Sequence, residues 1–240
     1  MTIKENTAMA KVEARNVKLS GILWLGSIVS VICSLALVIP NNLALNPLDM
    51  AGTFSAINQH PQLHILELVF DEISNLLTLL LAGSLFLGFR RISPTSALMA
   101  SLLIATGAIV LIIHDMDNFT ITWIAESYKN SGVTDKLILE KIGYSMILSA
   151  KWGVTIGANC IVLGVLLYVF LWARKQVIPK ILGYVGVFCC LVAILASIPY
   201  WFDFSLEELG YNLYFPFMIW EIIIGIWFFR LNTPTGGDHD

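Results

Sequence analysis

Histidines and carboxylates recur inside the apolar runs of this chain, at spacings that place them on shared helical faces. His64-x-x-Glu67 is followed by Asp71 and Glu72, and His114-x-x-Asp117 encloses Asp115 and is followed by Asn118. Residues three or four apart on a helix stand one above the other. Each His–carboxylate pair could therefore offer nitrogen and oxygen to a divalent metal ion, one or two ions in all, as in carboxylate-bridged bundle sites. The metal candidates are thus His64, Glu67, His114 and Asp117, although their order reverses the usual Glu-x-x-His. The plainer reading of His64 is a side chain at the headgroup boundary in contact with water.

A second chemistry needs no metal. Asp71, Glu72, Asp115 and Glu221 are candidates for handling protons or binding substrate around Lys151, the one lysine deep within an apolar run. Six buried carboxylates facing one lysine cannot all stay charged in a low-dielectric site. Such a group would share protons, bind a cationic solute or relay protons. Lys151 reads as a structural counter-ion before it reads as a covalent or general-base lysine. Thr155 and Asn159 continue its face at steps of four.

These residues need helices to position them, and the apolar runs supply six. They extend over Leu19 to Pro40, His64 to Phe89, Thr95 to Ala125, Ile142 to Trp172, Ile178 to Trp201 and Leu209 to Phe229. Each reaches the ~20 residues that a bilayer crossing requires. No alternation of period two appears, which argues against a membrane barrel. The expected fold class is all-α, a polytopic membrane helical bundle of six transmembrane helices. Its expected division is a cytoplasmic N-terminal segment over 1–18, a transmembrane domain over 19–230 and a disordered cytoplasmic tail over 231–240.

Basic residues favour cytoplasmic loops. Lys4, Lys11, Arg15, Lys18, Arg90, Arg91, Arg174, Lys175, Lys180 and Arg230 all fall on one side of a six-span arrangement, and only Lys129, Lys136 and Lys141 fall on the other. Both termini are therefore expected inside. The first span reads as an uncleaved helix, because its polar leader is long and no Ala-x-Ala site follows. The stretch 41–63 reads as a polar outer loop, and 126–140 as a short interfacial helix.

Helical rise gives the depth of each charge. From the outer ends, Asp71 lies about 10 Å in, Lys151 about 14 Å, His114 about 16 Å and Glu221 about 18 Å. Similar depth on four helices suggests one outward-facing polar chamber. Ionisable residues at such depth are expensive, roughly 2.5–3.5 kcal/mol each on insertion scales, and so are functional candidates.

Composition limits the alternatives. Of 240 residues, 57% are apolar and 13% charged, with a mean hydropathy of +0.78, far from the ~25% charged residues of soluble domains. A net charge of −3 and the lack of zinc-finger spacing set nucleic acid aside. Cys33, Cys160, Cys189 and Cys190 sit in apolar runs and read as packing residues rather than a disulfide framework. Gly153, Gly157, Cys160 and Gly164 form a small-residue stripe suited to close packing within the chain, or to a homodimer or a partner in a membrane complex. Trp172, Trp227 and Phe228 read as an inner aromatic belt, and Tyr200, Trp201, Tyr211 and Tyr214 as an outer one.

Three fragments carry a family resemblance: Ala14-Arg-Asn-Val-Lys-Leu-Ser-Gly-Ile-Leu-Trp-Leu25, Ile178-Pro-Lys-Ile-Leu-Gly-Tyr-Val-Gly186 and Trp220-Glu-Ile-Ile-Ile-Gly-Ile-Trp227. They resemble a bacterial membrane family catalogued as domain of unknown function 4386, over roughly residues 14 to 231. The resemblance implies six helices and a location in the bacterial inner (plasma) membrane, and it brings no established reaction. Glu221 falls where such proteins often carry a glutamate. The acidic and histidine content around 64–72 and 114–117 is richer than the resemblance leads one to expect.

Two functions are consistent with these residues. One is an outward-open site for a metal ion, proton or small polar solute, in a membrane-embedded metal-dependent enzyme or a carrier. The other is a non-catalytic structural or assembly subunit whose buried charges fix helix register. No nucleophile elbow, zincin helix or membrane-spanning haem-ligand pair is present.

Overall fold

Proline opens two of the longest helices. Pro61 and Pro94 occupy first helical positions, where the missing N–H would be unpaired in any case, and α3 (Pro61–Phe89) and α4 (Pro94–Lys129) start there. Ahead of them run α1 (Ile3–Asn41) and α2 (Met50–Gln59), and behind them α5 (Val133–Arg174), α6 (Lys180–Phe202) and α7 (Glu207–Arg230). The computed structural model describes residues 3–202 and 207–231, with side chains over 13–197 and 214–231. The described residues contain seven helices and no strand.

Among the described residues, four helices are long and apolar enough to cross a membrane: Glu13–Asn41 of α1, α4, α5, and Lys180–Ser197 of α6. Burial supports the same conclusion. Large apolar side chains such as Ile65, Leu76, Leu80, Met116 and Trp123 are exposed, while Ser20, Ser30, Ser34, His64 and Asp115 are buried. A surface of this kind is stable against lipid, where polar groups must be satisfied internally. The chain is therefore a helical membrane protein.

Helix ends show how the chain turns. Asn42 and Gln176 adopt left-handed backbone, with φ of 51° and 56°. The next amides reach back to Val38 O at 3.2 Å and Trp172 O at 2.9 Å. Both are Schellman closures, in which a left-handed residue lets the chain satisfy the last free carbonyls.

Helix α1 begins at Ile3, ahead of the first apolar run, where Glu5, Ala8, Ala10, Glu13 and Ala14 are good helix formers. Two expectations change. The stretch 41–63 contains α2, capped by Asp49 accepting from Gly52 N at 2.9 Å, so it is not merely a loop. The residues 126–140 form the end of α4 and the start of α5, separated only by 130–132. The expected tail beyond Leu231 and the side chains of Tyr200, Trp201 and Tyr211 lie outside the described residues.

The chain divides into two compact units. The first comprises Met1–Gly26, Leu77–Gly107 and Asn159–Asp240, and the second Ser27–Leu76 and Ala108–Ala158. An aromatic cluster centres the first: Trp172 lies 4.9 Å from Phe228, 5.4 Å from Phe89 and 6.3 Å from Trp24, centre to centre. Trp172 and Phe228 are fully buried, so they build a core rather than the expected belt. Such ring pairs add about 0.5–1.5 kcal/mol beyond burial. In this unit Ser101 joins Ala82 O and Tyr168 Oη, and Trp220 donates to Leu182 O, tying α7 to α6. Gly164 packs against Ala100 and Ile104 of α4, so this part of the small-residue stripe serves internal contact.

The second unit has its own core. Met50, Phe54 and Ile57 of α2 pack with Ile121, Ala125 and Ile147, and Asn58 donates to Ala125 O at 2.6 Å. Ser27–Ser74 at 2.9 Å and Ser30 to Phe70 O at 2.7 Å hold α1 to α3. All four cysteines are free, with Cys189 and Cys190 buried.

Candidate functional site: a polar cluster on α3 and α4

The polar residues of α3 recur at steps of three and four, so one helical face collects them. His64, Glu67, Ser74, Asn75 and Thr78 are buried, whereas Ile65, Leu66, Val69, Ile73 and Leu76 are exposed. On α4 the same inversion holds: Asp115 and Thr122 are buried, and Ile109, Ile113, Met116 and Trp123 are exposed. Both helices thus turn their chemistry inward.

Asn75 Nδ2 donates to Asp115 Oδ2 at 2.7 Å and ties the two faces together. The Asp71 carboxyl has the side chains of Ser34 and Glu67 as hydrogen-bond partners and lies within electrostatic reach of Asp115. Asp115 in turn feels Glu72 and Glu67. Glu67, Asp71, Glu72 and Asp115 therefore form one acidic cluster.

The histidines sit beside this cluster. His64 Nδ1 lies 3.1 Å from Glu67 Oε2, and the His64 side chain is 1% exposed. That distance is within ion-pair reach, yet neither ring nitrogen is aligned for a hydrogen bond with a protein group; the alignment decides, so the contact is weak. His114 Nδ1 lies 3.6 Å from Asp117 Oδ2. The His114 ring lies directly over Gly153 of α5, in space a Cβ at that position would occupy. Lys151 is half-buried one half-turn earlier on α5, and its carbonyl accepts from Thr155 Oγ1 at 2.9 Å.

Among the described residues, no three His, Cys, Asp or Glu side chains are arranged to hold a metal ion. His64 with Glu67 and His114 with Asp117 are two separate pairs. Glu221 belongs to the first unit, where Trp24 Nε1 donates to its Oε1 at 3.0 Å. Cys190 and Tyr214 also lie in electrostatic reach of it. Asn159 likewise belongs to that unit and exchanges hydrogen bonds with Ser197 at 2.9 and 3.2 Å.

A family model described as Domain of unknown function (DUF4386) matches residues 19–230. The chain belongs to this family. No curated protein and no solved structure matches it.

Two contributors were missed in the sequence. Ser34 is one serine in an apolar run, and nothing in its spacing marks it. Gly153 reads in the sequence as a packing residue, because the space it leaves for His114 depends on a different helix.

Proposed function

We propose that this DUF4386 protein is a six-span carrier of the bacterial plasma membrane, with both termini inside, which binds protons and a small cationic solute at Glu67, Asp71, Glu72 and Asp115. The six-span reading is supported by length. Besides the short α2, every helix has at least 23 residues, or about 35 Å at 1.5 Å per residue, against a hydrocarbon core of about 30 Å. The distribution of Lys and Arg supports the orientation.

The observation that carries the functional reading is the Asp71–Glu67 contact beside the buried Asn75–Asp115 hydrogen bond. A purely structural role calls for balanced pairs, since gathering like charges away from water adds no stability. Four carboxyls together suit a site that is filled and emptied by protons or a cation. The divalent-metal reading of His64, Glu67, His114 and Asp117 has less support, since these residues form pairs rather than a set of three or more.

The test is purified protein in lipid vesicles holding a pH-sensitive dye, challenged with inorganic and organic cations. Wild type is expected to release protons on cation addition, and Asp71→Asn and Asp115→Asn to lose at least about nine-tenths of that signal. Wild-type vesicles that behave like protein-free ones would falsify the carrier reading and favour a scaffold subunit.

A further inference from the structure

Five polar atoms in the second unit are buried without a hydrogen-bond partner from the protein: both ring nitrogens of His64, Nδ1 of His114, Oδ1 of Asn118 and Oγ1 of Thr122. Buried polar atoms of this kind are normally served by bound water. Their arrangement is not random. His114, Asn118 and Thr122 follow at steps of four along α4, one helical face over about 12 Å. Asn118 and Thr122 also stand three and seven residues beyond Asp115, which places them on the face that Asp115 turns toward α3.

The register of α3 against α4 brings the acidic residues to the same stripe. Asn75 meets Asp115, and only residues 90–93 join α3 to α4, so numbers rise on one helix as they fall on the other. Counting from Asn75–Asp115, Glu72 comes level with Asn118 and Leu68 with Thr122. His64 lies one turn further, 1% exposed, and Thr122 is 8% exposed. On the other side Gly153 leaves room for the His114 ring. The opposite face of α4 is apolar, with Ile113 57% and Met116 64% exposed.

We propose that the His114, Asn118 and Thr122 stripe of α4, together with His64, holds a file of bound water that leads along the helix to Asp115. Thr122 and Asp115 are about 10 Å apart along the axis, a gap spanned by about three waters at hydrogen-bond spacing. Each water has the two or more polar partners it needs from the stripe and the neighbouring carboxyls. The proposal deepens the carrier reading and rests on it for its use: the file is the route by which a proton or small cation reaches the acidic cluster.

The experiment measures hydration directly. In protein freed of Cys33, Cys160, Cys189 and Cys190, single cysteines are placed by Asn118→Cys and Thr122→Cys, with Ile113→Cys and Met116→Cys as lipid-facing controls. The probe is silver ion, which reacts with thiols through water, and its progress is read as protection from a fluorescent maleimide added after denaturation. The stripe cysteines are expected to react at least about tenfold faster than the controls. Equal rates at all four positions overturn the proposal. Unsubstituted protein supplies a second reading, since hydroxyl radicals made by X-ray radiolysis oxidise side chains beside bound water. His64 and His114 are expected to be labelled, and absence of label at both overturns the file. Labelling with no proton release by wild type removes the carrier reading alone, and proton release with an unreactive stripe removes the file alone.

Discussion

Asn75 donates to Asp115 at 2.7 Å, joining two side chains 40 residues apart that are each more than nine-tenths buried. Removing the donor leaves a buried acceptor unserved, which costs about 1–3 kcal/mol, whereas removing both partners is nearly neutral. Asn75→Leu is therefore expected to lower stability by that amount, and Asn75→Leu combined with Asp115→Leu to recover most of it. Thermal unfolding in detergent of the two single variants and the double variant checks this. Additive losses would mean the hydrogen bond does not couple the helices.

Gly153 and His114 make a second pair. A Cβ at position 153 would overlap the imidazole, and overpacking of this kind typically costs about 1–3 kcal/mol. Gly153→Ala is expected to destabilise by that much and to displace the His114 ring. Adding His114→Ala opens the space and should restore the melting temperature most of the way. A Gly153→Ala variant as stable as wild type would show that the ring has another place to go.

In the first unit, Trp24 is 2% exposed and its indole nitrogen serves Glu221. Trp24→Phe keeps much of the ring surface but removes the donor, so it is expected to cost about 1–3 kcal/mol. Glu221→Gln retains an oxygen that can accept from Trp24 and should cost clearly less. Both are read by thermal unfolding, and equal losses would assign the effect to packing rather than to the hydrogen bond.

Gln176 closes α5 with a φ of 56°, backbone that a side chain disfavours by roughly 1–2 kcal/mol. Gln176→Gly removes that strain at the expense of some unfolded-state entropy. A net gain of about 0.5–1 kcal/mol in unfolding free energy is expected. A loss would mean that the Gln176 side chain contributes contacts that outweigh the backbone strain.

Much of the fold is legible without coordinates. Long apolar runs in a chain with few charges can be stable only as helices in lipid, and α3, α4, α6 and α7 follow those runs closely, while α1 and α5 begin well ahead of theirs. Helix α2 is legible only in part. Met50, Phe54 and Ile57 have helical spacing and Asp49 is a good cap, but ten residues make a marginal helix until they find a surface to dock on. Its partners, Ile121, Ala125 and Ile147, come from distant parts of the chain.

The candidate site divides in the same way. The sequence by itself determined that His64, Glu67 and Asp71 share one face of α3 and that Asp115 lies deep in an apolar run, because helical periodicity and the expense of charge in lipid are local properties. Only the tertiary structure decided that Asp71 meets Ser34 of α1 and that Asp115 meets Asn75. It also gave Glu221 a different partner, Trp24, 197 residues away. Depth along a helix follows from counting residues, but the direction a side chain faces across to another helix depends on how the helices rotate and pack. That rotation is set by many small contacts, such as Ser27 with Ser74 and His114 over Gly153, whose meaning appears only when both partners are in place.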